Sequence, residues 1–292
     1  MADSSPRPPP GPAGSPSPGR LAGRAALVLG AGTGRRPGVG AAVARRLAAD
    51  GASVLAVDHR PGAAARTARG HPGPGRLEAL DGHARDRDTA EQMVAEAHRR
   101  LGRLDIVVTD VHAGLIGGGL ATGLDRWQEL LDHNTRQVFL AVRAALPTIE
   151  RTGGGSVICI TSSAGSAFTG LHGLAYSAAM AAVNQFVRLT AVDHAERGVR
   201  CNAIVRGLID DDLVDDELAV LFGGDPERAR RELAALVPAG RLGTPDEVAA
   251  VAAFLATEAA HYVSGVLVPV DGGLGAQSLP RALWPGGPAP GD

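Results

Sequence analysis

Short apolar runs recur along this chain at the spacing of a parallel sheet, and that alternation limits its fold more than anything else in the sequence. The runs are AALVLG (25–30), SVLAVD (53–58), LDIVV (104–108), SVICI (156–160), RCNAIV (200–205) and VLVPV (266–270). Each is bounded by Gly, Asp or Arg and is short enough for a strand buried on both faces. Between them lie segments of helical period. VGAAVARRLAAD puts Val39, Val43 and Leu47 on one side and Arg45, Arg46 and Asp50 on the other, and DTAEQMVAEAHRRLG and DRWQELLDHNTRQVFLAVRAALPTIER repeat the arrangement. Strands alternating with helices predict an α/β doubly wound Rossmann fold, a parallel sheet with helices on both faces.

Composition bounds what such a fold can serve. The 292 residues are 45% hydrophobic with net charge −2, enough for one substantial core and no electrostatic footprint for nucleic acid. Residues 1–20, MADSSPRPPPGPAGSPSPGR, hold no apolar run, so they read as a disordered tail rather than a leader or membrane span. A cytoplasmic protein is expected, with one domain over 21–277 and a flexible Pro/Gly-rich tail over 278–292. Cys159 and Cys201 fall inside strand-like runs, as buried thiols do, and no metal site is expected.

In a doubly wound sheet the loop after the first strand is the phosphate cradle. Here it is GAGTGRRPGVG (30–40), with Gly30, Gly32, Gly38 and Gly40 allowing close backbone approach and the following helix offering free N–H groups. Asp58 ends the second strand, where a carboxylate binds ribose hydroxyls and repels a 2′-phosphate, so NAD is favoured over NADP. Arg35, Arg36 and Arg60 argue the other way, since each could pair with that phosphate.

From Leu21 to Ala276 the chain resembles the short-chain dehydrogenase/reductase family, above all in GRLGTPDEVAAVAAFLATEAAHYVSGVLVPVDGG (240–273). The resemblance implies a seven-stranded parallel sheet, a nicotinamide cofactor, a homotetramer or homodimer, and a catalytic Asn, Ser, Tyr and Lys. It extends the cofactor-binding set to Val39, His83, Gly207 and Ile209. Asn134 in LDHNTRQVF matches the asparagine that holds a relay water. Ser162 in ITSSAG matches the serine that hydrogen-bonds the substrate oxygen, and Tyr176, fourteen residues on, matches the tyrosine that exchanges its proton.

The lysine is missing. Met180 stands four residues after Tyr176, and the 29 basic residues are all arginine, so no lysine elsewhere in the chain replaces it. A fixed cation lowers a tyrosine pKa from its free value of about 10 by stabilising phenolate, and a thioether cannot. Met180→Lys is therefore expected to raise turnover if the chemistry is redox.

Other departures fall on the same face. TDVHAG (109–114) stands where the family has Asn-Asn-Ala-Gly, and both asparagines are gone. His112 becomes a candidate acid–base group, histidine being the side chain whose ordinary charge change lies nearest neutral pH; a solvent-facing structural histidine is the alternative. Arg206 replaces the proline of the family's Pro-Gly and either compensates for Met180 or points to solvent. The cradle is also lengthened, with Gly38 eight positions after Gly30.

The segment 208–240 occupies the position of the substrate lid. Its acids Asp210, Asp211, Asp212, Asp215, Asp216 and Glu217 fit either a cationic ligand or a solvated helix face. Leu213, Leu218, Leu221 and Phe222 fit either a pocket for a small apolar substrate or core burial.

Three functions remain open. The preferred one is a divergent NAD(H)-dependent oxidoreductase acting on a carbonyl or hydroxyl of a small, specialised-metabolite substrate. The second is a non-redox enzyme on the same fold, a cyclase, dehydratase or isomerase that uses Tyr176 as a hydrogen-bond donor and needs no cofactor. The third is an inert subunit in a mixed oligomer with an active paralogue. Fold alone does not decide among them.

Overall fold

The structure, a computed structural model, describes residues 19–71, 73–114, 119–167 and 173–277. Both expected tails therefore lie outside the described residues, apart from 19 and 20. Seven strands form one parallel sheet in the order β3-β2-β1-β4-β5-β6-β7. They are β1 (Ala25–Leu29), β2 (Ser53–Asp58), β3 (Leu77–Asp81), β4 (Ile106–Thr109), β5 (Gly155–Ser162), β6 (Val199–Arg206) and β7 (Leu267–Val270). The β1 register, Ala25 to Ser53 on one side and Ala26 to Ile106 on the other, makes it the strand where the order reverses. Ligands of doubly wound sheets bind outside the carboxyl ends of the strands at such a reversal.

β3 was not among the apolar runs. Every residue of this edge strand is half-buried or exposed, so it lacks the continuous apolar signature of a strand covered on both faces.

The helices are α1 (Val39–Ala49), α2 (Ala63–Ala68), α3 (Arg87–Leu101), α4 (Leu124–Leu131), α5 (Gln137–Arg151), α6 (Leu174–His194), α7 (Asp212–Asp216), α8 (Pro226–Leu236) and α9 (Pro245–Ala256). Local chemistry sets their ends. Asp86 accepts from Thr89 N–H to start α3, and Gly102, in the left-handed region at φ 78°, ends it. Thr244 and Glu247 form a reciprocal capping box around Pro245 at the start of α9.

One face of the sheet packs on Val39, Val43 and Leu47 of α1 with Val248, Ala252 and Leu255 of α9. The other packs on Met93 of α3, Val142 and Ile149 of α5 and Val187 of α6, and includes Cys159 and Cys201 as buried free thiols. A third apolar cluster joins Tyr176, Ala179 and Met180 of α6 to Leu208, Val214, Leu218, Leu233 and Val237 of the lid. Of the lid's apolar residues, Leu218 is therefore core, Leu213 and Phe222 lie half-buried against it, and Leu221 is exposed.

The helical run 125–151 is interrupted. Between α4 and α5, residues Asp132–Arg136 form a π-helical turn centred on Asn134. The extra residue rotates Asn134 inward, where it is fully buried.

Candidate active site

The crevice at the strand-order reversal has a volume of about 230 Å³ and runs from Asp58, His59, Arg60 and His83 past Gly30, Gly32, Gly38 and Val39 to Asp110, His112, Arg206 and Leu213. Its floor depends on two glycines. Gly30 has φ +73°, and a Cβ there would lie 1.8 Å from the Asp110 carbonyl oxygen; one on Gly40 would lie 2.3 Å from the Gly30 carbonyl oxygen. The cradle, α1 and the end of β4 thus meet backbone to backbone. Gly38 precedes α1 with no side-chain cap, and of the first helical N–H groups that of Gly40 is taken by the Asp110 carboxylate.

At one end, Asp58 is buried with one carboxylate oxygen accepting from Gly32 N–H at 2.9 Å and the other from Arg60 N–H at 2.9 Å and Arg60 Nε at 3.0 Å. Arg60 is therefore tied to the acid it was set against. Arg35 and Arg36 leave the crevice altogether, which corrects their expected place beside the cofactor. Arg36 pairs with Asp210 at 3.0 Å and Asp215 at 3.4 Å, and Arg35 with Asp216 at 2.5 Å. The Asp212 carboxylate accepts the backbone N–H groups of both arginines. The lengthened cradle reaches across to the lid, and Asp210, Asp212, Asp215 and Asp216 are engaged by that contact and by Arg230.

At the other end, behind His112 and not itself lining the crevice, Tyr176 is 1% exposed and its hydroxyl lies 3.2 Å from His112 Nδ1. His112 Nε2 is 2.9 Å from Asp110 Oδ1. That contact is bent away from straight hydrogen-bond geometry, so the two buried atoms face each other without an aligned bond. Asp110 Oδ2 accepts Gly40 N–H at 2.6 Å, fixing the carboxylate to the cradle. His112 thus faces inward and not solvent.

Arg206 also points inward. It is 6% exposed and donates through Nη1 to Asp211 Oδ2 at 3.0 Å, while Asp211 caps α7 by accepting Leu213 N–H. Burial works against the guanidinium charge, but Asp211, Tyr176 and Asp110 outweigh it and raise the pKa above its ordinary value. Burial likewise raises the Tyr176 pKa; Arg206 and Ser162 oppose this, Asp110 and Glu217 add to it, and the net shift is upward. Burial pushes Asp110 up as well, yet His112, Arg206 and the Gly40 N–H together hold it below the usual carboxylate value.

Ser162, at the end of β5, accepts Ala164 N–H through Oγ at 3.2 Å and is nearly buried. The Asn134 amide is spent on backbone: Oδ1 accepts Ala113 N–H at 2.9 Å, and Nδ2 donates to the carbonyls of Ala113 at 2.9 Å and Leu130 at 2.8 Å. Its side chain thereby braces the loop that carries His112. Met180 is 1% exposed within the lid cluster. Gly207 lies against Asp271, and Ile209 is core, bridged to Gly243; neither lines the crevice.

Sequence reasoning missed Asp110 as a site residue. The signal was present in TDVHAG, where the two lost asparagines leave an acid and a base two residues apart just beyond a buried strand.

A family profile described as enoyl-(acyl carrier protein) reductase matches residues 32–275. Over 256 residues the chain is 32% identical to meso-2,3-butanediol dehydrogenase of Serratia marcescens, covering 87% of this chain and 95% of that one. A crystal structure of a short-chain dehydrogenase/reductase from Burkholderia xenovorans superposes with TM-score 0.81 at 35% identity, covering 89% and 100% of the two chains. Carveol dehydrogenase of Mycobacterium avium, solved in complex with NAD, superposes with TM-score 0.80 at 26% identity, covering 89% and 100%. The chain belongs to the short-chain dehydrogenase/reductase family. Members of this class are oxidoreductases that interconvert hydroxyl and carbonyl groups with a nicotinamide cofactor.

Proposed function

We propose that the chain is an NAD(H)-dependent oxidoreductase that reduces a carbonyl on a small substrate, with Tyr176 as the proton donor. The observation that carries this reading is the Tyr176 hydroxyl, buried and hydrogen-bonded to His112, a residue that itself lines the Gly30–Asp58 crevice.

The residues present fit a dinucleotide. Gly30, Gly32, Gly38, Val39 and Gly40 offer backbone close to a pyrophosphate, and Asp58 with His83 stands at the adenosine end. Bound there, the nicotinamide supplies or accepts hydride. Asp58 retains acceptor capacity for ribose hydroxyls, while Arg35, Arg36 and Arg60 are each neutralised by an acid. A 2′-phosphate would have to displace one of those pairs, so NAD is preferred.

Tyr176, a phenol of ordinary pKa about 10 that burial raises further, carries its proton at neutral pH and can donate it to a carbonyl oxygen. Ser162 orients that oxygen, and Arg206 stabilises the charge left on Tyr176. The protonated Tyr176 serves the reductive direction. The similarity to a butanediol dehydrogenase supports small hydroxyketones and diketones as first substrates. The same protonated Tyr176 also favours a second reading, a non-redox reaction in which it polarises a carbonyl without hydride transfer.

Turnover is read as NADH consumption with diacetyl and related diketones. Tyr176→Phe is expected to lower it at least about 10²-fold with NADH affinity within about twofold. Full activity in Tyr176→Phe would contradict the assignment, and carbonyl-dependent chemistry without NADH consumption would favour the second reading.

Among the described residues no helix is long and apolar enough to cross a membrane. A cytoplasmic location is part of the proposal. So is self-association, supported by exposed Phe139, Leu189 and Val192 on α5 and α6 and by Phe254 and Val266 on α9 and beside β7.

A further inference from the structure

We propose that Asp110 and His112 form the proton relay behind Tyr176, doing by a histidine–carboxylate dyad what a lysine after the tyrosine cannot do here. The proposal rests on the carbonyl-reductase reading above.

A buried tyrosine that gives up its proton must regain it, and at 1% exposure Tyr176 cannot take one directly from bulk water. Met180, one helical turn away, has no proton to offer. The Tyr176 hydroxyl is instead 3.2 Å from His112 Nδ1, and His112 lies on the crevice wall.

The partners of the ring fix which nitrogen does what. An ionised carboxylate only accepts, so Nε2, 2.9 Å from Asp110 Oδ1, carries a hydrogen in both protonation states of the ring. Nδ1 is then bare in the neutral ring and accepts the Tyr176 O–H; in the imidazolium it bears the proton that a Tyr176 phenolate needs. The cycle balances. The Tyr176 O–H bond breaks as the proton passes to the substrate oxygen. The His112 Nδ1–H bond then breaks to re-form Tyr176 O–H, leaving the neutral Nε2–H ring. Nδ1 regains a proton from solvent water entering the crevice.

Asp110 is equipped for the supporting part. Gly40 N–H holds its other oxygen at 2.6 Å, and the buried Arg206 charge helps keep it ionised beside the ring. Asn134 grips both backbone groups of Ala113, one residue beyond His112, so the loop cannot swing the ring away. A base within reach of the proton and a third group orienting the base is the general logic of activated proton transfer. The bent Nε2–Oδ1 contact is of the kind that aligns once a substrate closes the site. Other charged groups acting on this triad are Arg206 with its partner Asp211, Glu217 on Tyr176, and His133, which senses His112.

The alternative is a purely structural brace between the β4 loop and the cradle, and two measurements separate it from a relay. The first is the ¹⁵N spectrum of His-labelled protein, with His112 assigned by its loss in His112→Gln. The relay predicts the Nε2–H tautomer in the neutral ring. An Nδ1–H tautomer, which cannot accept the tyrosine proton, overturns it. The second is diacetyl reduction by NADH. Here His112→Gln and Asp110→Asn are each expected to lower kcat about 10²-fold with KM and NADH affinity within about twofold. Unchanged kcat in a folded His112→Gln, alongside an inactive Tyr176→Phe, overturns the relay and leaves the reductase reading standing. If the wild type reduces no carbonyl, the reductase reading fails and the relay that rests on it falls too, an outcome distinct from an active wild type with an unaffected His112→Gln.

Discussion

Met180 sits in an apolar cluster with Leu208, Val214 and Leu218, and Arg206 already supplies a buried positive charge to Tyr176. These surroundings reverse what the sequence predicts for Met180→Lys. An ammonium placed there is buried among aliphatic side chains, so the variant should lose a few kcal/mol of stability by thermal melt and gain no turnover, whereas Met180→Leu should cost less than about 1.5 kcal/mol. A Met180→Lys protein that melts normally and turns over faster would show that the site still needs a lysine. Tyr176 gives a second prediction. The chain has two tyrosines, and the other, Tyr262, is 95% exposed, so in Tyr262→Phe the near-ultraviolet phenolate signal reports Tyr176 alone. It should ionise above the ordinary value of 10. Because the folded pKa is raised, the stability linked to this group is intact below about pH 10 and is lost as pH rises through the folded value. Alcohol oxidation, which needs the phenolate, should accelerate over the same alkaline range. At this scale the sequence was partly legible: the family resemblance points to Tyr176 and Ser162 and the strand end to Asp58, but the inward turn of His112 depends on partners as distant in sequence as Tyr176, and the hold on Asp110 on Gly40.

The lengthened cradle and the lid are the two elements whose relation the sequence concealed. Basic residues in a phosphate loop and acids in a lid each have a plausible ligand when read alone, and only their contact in space shows that they satisfy each other. Arg36 touches Asp210, Asp215 and the Asp211 carbonyl at once, so Arg36→Ala should cost on the order of 1 kcal/mol and increase proteolytic cutting within 208–240. High salt should do the same to the wild type; a lid whose cleavage rate ignores both would show that the contact is incidental. The π-helical turn carries another prediction. Burial, with Arg85 and His59 adding to it, lowers the His133 pKa to about 4 from its ordinary 6.5. The unfolded chain therefore takes up a proton first, and the melting temperature should fall as pH drops from about 6.5 toward 4. His133→Gln should flatten that slope.

On the scale of the whole molecule, six of seven strands and the doubly wound architecture were readable because buried parallel strands leave continuous apolar runs. β3 escaped because an edge strand has no such run. Self-association makes its own prediction: replacing Leu189 and Val192, exposed on α6, with Glu should lower the sedimenting mass while leaving the far-ultraviolet spectrum unchanged. The claim on which the account depends is that the Gly30–Asp58 crevice serves a nicotinamide dinucleotide. The most direct test is titration of the purified chain with NADH and, separately, NADPH, followed by nicotinamide fluorescence. A dinucleotide site here binds NADH with an affinity on the order of micromolar, binds NADPH more weakly, and loses NADH affinity sharply in Asp58→Ala, each tenfold step being about 1.4 kcal/mol. Binding of neither cofactor, or tighter binding of NADPH, would contradict it.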